Sequence, residues 1–266
     1  MSVKVVRASI FPTHHLSYTG QSAYRTLVST SRVDQRLHSL GIDPRPLKGP
    51  IFWHNINGKY AYTCPLGGDV FEVTARIRRP PEGQEHVSWG MPFDFSQLLH
   101  EYGEFCPAVL EILRLAAEEG ETQEFAMFAG PRLESCVDDR AGVALIGDAS
   151  HPLSGAFGAG AGFAFEDAYT LGKALQWAFS NKSNGTLPRS QVDAALSLYD
   201  SVRSPHYRRL YEVLDGNSRL NRALVEERLP IDAEISERVK RLWGGRNDWM
   251  YYYKADEVVE EAILVS

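Results

Sequence analysis

The sequence predicts a mixed α/β (α+β) protein, and three observations carry that reading. Residues 142–168 join a short apolar run, a sharp turn, a glycine-rich loop and a helix start. Between residues 18 and 75, short alternating segments follow one another with turn residues between them, the pattern of an antiparallel sheet. Residues 192–214 place Ala195, Leu196, Tyr199 and Val202 at helical spacing, which predicts a long helix. Three segments are expected: 1–130 (sheet plus helices), 131–180 (strand–loop–helix) and 181–266 (helical).

Taken in order, Tyr18 to Val28 alternates as a strand. Ile51 to His54 and Gly58 to Cys64 read as two more, joined by Asn55-Ile56-Asn57-Gly58, and Asn-Gly is a strong hairpin signal. Val70 to Ala75 follows Gly67-Gly68 as a further strand, completing a meander. Phe95 to Tyr102 and Pro107 to Ala117 read as helices, with Leu110, Leu113 and Ala117 on one face and Pro107 suited to a first turn. Residues 180–186 form a polar loop, and Pro205 is expected to kink the long helix.

The chain of 266 residues has a net charge of −6 and is 44% hydrophobic, enough for one large domain or two small ones. The mildly acidic balance argues against nucleic-acid binding. Cys64, Cys106 and Cys136 lack paired spacing, which suggests a reducing, cytoplasmic setting and no zinc site. No run is apolar and long enough to span a membrane, and no signal peptide is legible. The sequons at Asn181 and Asn184 are expected to be unused in such a setting.

The chemistry concentrates in the central stretch. Val143 to Ile146 reads as a strand covered on both faces, and Asp148 falls just past its C-terminal end, where open α/β sheets place ligands. Gly158, Gly160 and Gly162 remove side chains where a flat ligand would lie against the backbone. The helix that follows, with Ala164, Ala168, Leu171 and Leu175 on one face, would aim free N–H groups and a positive dipole end at that ligand. A tight strand–helix turn without a ligand is the alternative reading. His151 reads as a hydrogen-bonded turn residue, since no second metal ligand sits at suitable spacing.

From Gly147-Asp148-Ala149-Ser150-His151-Pro152 through Gly158-Ala159-Gly160-Ala161-Gly162 to Glu166-Asp167-Ala168, the stretch resembles the second FAD-binding motif of the salicylate hydroxylase-like aromatic hydroxylases, the group A flavoprotein monooxygenases. The resemblance implies an FAD-binding domain of that type and, over 1–130, a substrate domain built on an antiparallel sheet. Asp148 would then hydrogen-bond the ribityl chain, and Gly158, Gly160, Ala161 and Gly162 would meet the pyrimidine side of the isoalloxazine. Arg25, on the strand entering the substrate domain, would lie near flavin and substrate; an ordinary solvent-face arginine is the competing reading. Tyr62 is the nearest candidate for a tyrosine that orients a phenolic substrate, with Tyr60 almost as good. The helix at Tyr199 to Pro205 and the aromatic tail at 248–256 also resemble family segments, the tail reading as packing or a dimer contact.

The resemblance further implies NAD(P)H as reductant, O2, and a flavin C4a-hydroperoxide that hydroxylates an aromatic or polyketide-like molecule, in secondary metabolism. No metal is required. Two departures stand against it. The N-terminal glycine fingerprint that would hold the ADP half of FAD is not in this sequence; Met1 to Arg7 instead resembles the segment after the family's later Asp-Gly motif. Gly155 also replaces a proline whose carbonyl faces the reacting edge of the flavin. The FAD-binding domain is therefore expected to be incomplete and FAD to bind weakly. Partners left open are a homodimer or a complementing N-terminal half. The alternative function is a flavin-free remnant acting as a small-molecule binding protein, a partner subunit or a non-redox isomerase or cyclase.

Overall fold

The computed structural model describes residues 2–55, 59–78, 89–140, 142–153, 155, 158–180, 188–244 and 247–266. The Asn57-Gly58 turn and both sequons lie outside the described residues. The chain divides into two compact units, Tyr18–Phe128 and a second made of Met1–Ser17 with Ala129–Ser266.

The first unit is built on a six-stranded sheet. Its strands are β1 (Ser17–Ser29), β2 (Ile51–His54), β3 (Tyr60–Gly67), β4 (Val70–Arg78), β5 (Trp89–Phe93) and β6 (Thr122–Ala129), in the order β2-β3-β4-β1-β6-β5. The meander expected from sequence is the β2-β3-β4 portion, with antiparallel pairing throughout. β4 buries every second residue, and Phe71, Val73, Ala75 and Ile77 enter one core with Tyr24 and Val28 of β1. Helix α2 (Thr30–Ser39) starts at Ser29, whose hydroxyl caps the Arg32 amide. It delivers Val33 and Leu37 to this core, and α3 (Pro107–Glu119) delivers Val109, Ile112 and Leu113. Residues Phe95–Tyr102 form a 3-10 helix on the same side. Each fully buried aliphatic or aromatic side chain contributes roughly 1.5–3 kcal/mol. One sheet face is thereby committed to packing, and its other face carries the polar and aromatic side chains of interest.

The second unit is mostly helical. It contains α1 (Ser2–Ile10), α4 (Gly160–Phe179), α5 (Arg189–Glu227), α6 (Ile231–Trp243), α7 (Asp248–Tyr251) and α8 (Ala255–Leu264). A two-stranded ribbon pairs β7 (Val137–Asp138) with β8 (Val143–Ala144). The core lies where α4 and α5 pack, around Phe163, Ala174, Ala195, Leu196, Tyr199 and Leu210.

Three expectations are corrected here. The apolar run 143–146 is not covered on both faces: β8 is two residues long with β7 as its partner among the described residues, and Ile146 is exposed. The fully buried residues of α4 are Phe163, Asp167, Thr170 and Ala174; of the expected face, Leu171 and Leu175 are half-buried against the same core and Ala168 is exposed. The helix is turned because its carboxylate, Asp167, has buried donors waiting for it. Finally, α5 continues through Pro205 to Glu227, 39 residues in all, well past the expected end at 214.

Candidate functional site

In the helical unit the chain leaves Leu145 and Ile146 and enters a 3-10 turn, Gly147–Ala149. Gly147 has φ +57, a left-handed conformation that glycine adopts without strain, and an added Cβ would come within 3.3 Å of Ala164 Cβ. The turn is held from beneath. Arg7 of α1, 3% exposed, donates from Nη1 to the carbonyl oxygens of Asp148 (3.1 Å) and Ala149 (3.2 Å). The Ser150 hydroxyl donates to Gly147 O at 2.9 Å, and the Tyr199 hydroxyl donates to Leu145 O at 2.8 Å. With its main chain fixed, Asp148 projects an exposed carboxylate that accepts no hydrogen bond from a described residue.

Beside it lies bare backbone. A Cβ at Gly160 would stand 3.8 Å from Asp148 Oδ1, and one at Gly158 or Gly162 would meet nothing within 4 Å. The first amide bonded at the head of α4 is Phe163 N, to Ala159 O at 3.0 Å. Among the described residues the amides of Gly160, Ala161 and Gly162 have no helical acceptor, as befits first-turn amides, and Ala161 and Gly162 are exposed. The result is a ledge with a carboxylate acceptor at one side and N–H donors with a helix dipole at the other. Gly155 sits at φ +72, which a proline ring locked near −65° could not adopt, and its carbonyl accepts from Gly158 N at 3.3 Å.

Under this ledge runs a buried polar network that the sequence reading did not assemble. Asp167 Oδ2 accepts from Gly147 N (2.8 Å) and His151 Nε2 (2.9 Å). Its Oδ1 accepts from Arg203 Nε (2.8 Å) and from the Tyr207 hydroxyl. Arg203 Nη2 reaches Glu166 Oε2 at 2.9 Å, and the guanidinium lies over the rings of Phe163, Tyr207 and Tyr253. Asp167, Arg203 and His151 are each fully buried. Burial alone would raise the Asp167 pKa, but bonds from His151 and Tyr207 and the Arg203 charge outweigh it and hold it below the usual carboxylate value. His206 is pushed down, chiefly by burial, although Glu166 opposes this. His151 is thus a buried scaffold residue. The signal for the network was present: Arg203 interrupts an otherwise apolar stripe, Leu196, Tyr199, Tyr207 and Leu210, and a charge on such a stripe requires a buried counter-charge.

In the sheet unit, the face away from the core presents cross-strand rows. Phe52, Tyr62, Thr74 and Arg25 form one, and His54, Tyr60, Arg76 and Ala23 form the next. Sequence candidates Arg25 and Tyr62 therefore share a face and a row. Arg25 is not presented as an open fork: Nε and Nη2 bind Glu72 at 2.9 and 3.1 Å. Tyr62 has its pKa raised, by burial first and then by Cys64, so its phenol is protonated. Arg76 donates to the Tyr60 hydroxyl at 3.0 Å, and its buried Nε has no partner among the described residues.

No family model matches the sequence. A salicylate hydroxylase of Pseudomonas putida is 28% identical over 93% of this chain and 54% of its own length. A dual trans-enoyl reductase/FAD-dependent monooxygenase, tazHJ of Aspergillus terreus, is 28% identical over 87% of this chain and 34% of its own length. The solved structure of a salicylate hydroxylase substrate complex superposes with a TM-score of 0.72 at 26% identity, covering 93% of this chain and 57% of that one. The chain spans about half the length of, or less than, the curated relatives it matches. By sequence and by its mixture of helices and antiparallel sheet, the chain is similar to the FAD-dependent aromatic hydroxylases of the salicylate hydroxylase kind over part of their length.

Proposed function

We propose that this chain is the flavin-ring and substrate portion of an FAD-dependent monooxygenase acting on an aromatic or polyketide-like small molecule. The observation that carries the reading is the Asp148 carboxylate, without a hydrogen-bond partner among the described residues, beside glycine backbone that no described side chain fills. The donor set suits the ribityl and ring end of FAD. Asp148 would accept from ribityl hydroxyls, and the amides of Gly160, Ala161 and Gly162 would donate to the electron-rich pyrimidine edge, with Gly158 leaving room for the ring. When bound, the flavin would supply the exchange of electrons with NAD(P)H and the activation of O2.

The chain's own residues would orient and exclude water. Tyr62 keeps its proton on Oη and would donate to a substrate oxygen. Arg25, neutralised by Glu72, would set the polarity of that row, and a role in cradling a phenolate would fall to its remaining N–H groups. A flavin-free binding protein is the second reading. Gly155 favours it, because its carbonyl is drawn into the loop's own hydrogen bond.

Titration of the purified chain with FAD and with riboflavin, followed at 350–500 nm as an order-of-magnitude window for flavin absorption, separates the readings. Contacts limited to the ring and ribityl chain predict weak binding of both, with affinities within about threefold of each other, well under the ~1.4 kcal/mol of a tenfold difference. Asp148→Ala should weaken both at least about tenfold, the loss of one charge-assisted hydrogen bond of ~1.5–3 kcal/mol. Failure of either flavin to bind would leave the flavin-free reading.

A further inference from the structure

Two arginines share the outer face of the sheet, and their side chains are spent differently. Arg25 is closed. Its Nε–Nη2 edge, the side on which a guanidinium takes a carboxylate with two parallel bonds, holds Glu72 Oε1 and Oε2 at 2.9 and 3.1 Å. The Thr74 hydroxyl donates to the same Oε1 at 3.0 Å, so the carboxylate is held from two sides. Arg76 stands one row along, two residues after Thr74 in β4. Its Nη1 donates to the neutral Tyr60 hydroxyl at 3.0 Å, and its guanidinium carbon lies 5.4 Å from the centre of that ring. Its Nε–Nη2 edge meets no acceptor among the described residues, and no described carboxylate pairs with it. Nε is shielded from solvent, and Nη2 keeps access to it.

A guanidinium is a permanent cation, and a shielded N–H without an acceptor is destabilising, so this edge calls for an oxyanion. The surroundings say what carries it. On the β1 side the neighbour of Arg76 is Ala23, which adds only a methyl group. On the β3 side the rings of Phe52, His54, Tyr60 and Tyr62 adjoin, with centroids 4.9 Å apart for Phe52 and Tyr62 and 5.4 Å for His54 and Tyr60. Arg78, next on this face of β4, is exposed and makes no ion pair with a described residue. The charge at the Glu72 end of β4 is balanced, and at the Arg76 end it is positive. Rings beside an uncompensated cation match a flat ligand with an oxyanion at its rim.

We propose that Arg76, and not Arg25, is the specificity-determining cation of this chain: it takes a planar oxyanion of the substrate, an aromatic carboxylate or the enolate of a β-dicarbonyl. The oxyanion meets Nη2 from the open side and reaches Nε by a small turn of the side chain. Glu72, by filling the Arg25 edge, sends the charge to the Arg76 row. The proposal rests on the reading of the sheet face as a substrate surface. At neutral pH 1-naphthol is uncharged, 1-hydroxy-2-naphthoate carries a carboxylate and 4-hydroxycoumarin an enolate. In calorimetric titrations of the full chain, at least one of the two anions should bind about tenfold tighter than 1-naphthol, and which one does so names the source of the charge. Arg76→Met should erase that preference and Arg25→Met should keep it. Glu72→Gln, which frees the second edge, should strengthen the anions by about threefold. Equal binding of 1-naphthol and both anions by the unmodified chain would overturn the proposal, as would a preference that Arg25→Met removes and Arg76→Met leaves. Binding of none of the three would overturn it together with the reading of the sheet face. Circular dichroism of Arg76→Met separates a lost cation from a lost fold, and the preference of the unmodified chain needs no variant.

Discussion

Asp148 and Asp167 lie 19 positions apart in one motif, yet they are opposites. Asp167 is fully buried and takes hydrogen bonds from an amide, a histidine, an arginine and a tyrosine. Asp148 is exposed, takes none from a described residue, and is held through its carbonyl rather than its carboxylate. The difference separates two tasks. A buried carboxylate with four donors fixes where the turn sits; an open carboxylate on a fixed turn is free to meet something else.

The comparison breaks hardest at Arg203. Arg203→Met leaves the Asp167 and Glu166 carboxylates without their cation, and removing one partner of a buried pair costs about 3–5 kcal/mol. The expected outcome in urea unfolding is a large drop in midpoint or an unfolded helical unit. A loss below about 1 kcal/mol would show that water replaces the guanidinium and that the network is not a scaffold.

Acid should test the buried network. Asp167 titrates below its ordinary value in the folded state, so its contribution is complete above the unfolded carboxylate pKa, about 4, and is lost as pH falls through the lower folded value. His206 is also depressed, but it is a base: the folded chain prefers it neutral, so stability is full above about 6.5 and declines as pH falls below it. Stability should therefore fall in two stages on acidification. His206→Phe, which preserves stacking on Tyr253 and Phe163, should remove only the upper stage. An unchanged profile in that variant would assign the upper stage to another group.

Arg7 stands between the two tasks. Arg7→Met deletes two bonds from a charged donor to the carbonyls of Asp148 and Ala149. A loss of about 1.5–3 kcal/mol is expected, along with weaker flavin binding although no ligand-facing group is altered. If affinity held while stability fell, the turn would keep its shape without α1.

What the sequence disclosed follows from how local each determinant is. The meander was readable because β4 alternates strictly and its turns are marked by glycine. The bare ledge was readable because glycines at 158, 160 and 162 carry their meaning within five residues. The network was half legible: Arg203 on an apolar stripe calls for a buried counter-charge, but Asp167, 36 residues away, is not marked locally as its partner. On α4 the apolar count found Leu171 and Leu175, which do pack against the core, but not Asp167, which four hydrogen bonds place on the fully buried face. Arg25 was placed on its strand, yet its engagement with Glu72 depends on strand register, which pattern alone does not give.

The smallest effect on stability should carry the largest contrast with function. Gly162 has ordinary helical backbone, and a Cβ there would meet nothing within 4 Å. Gly162→Ala should therefore stabilise the chain, by up to about 0.8–1 kcal/mol from helix propensity. The same methyl would stand on the ledge where a flat ring is proposed to lie. If that placement is right, the variant melts higher and binds riboflavin less well, a pairing that no purely structural role for the glycine produces. Asp148→Ala makes the complementary case, with stability within about 0.5 kcal/mol of the unmodified chain, because its exposed carboxylate accepts no hydrogen bond from a described residue and meets the fold through the charge of Arg7 alone among the groups described. A Gly162→Ala chain that gains stability and keeps its flavin affinity would move the ring off the head of α4 while leaving Asp148 in place, so the two substitutions locate a ligand on the ledge from opposite sides.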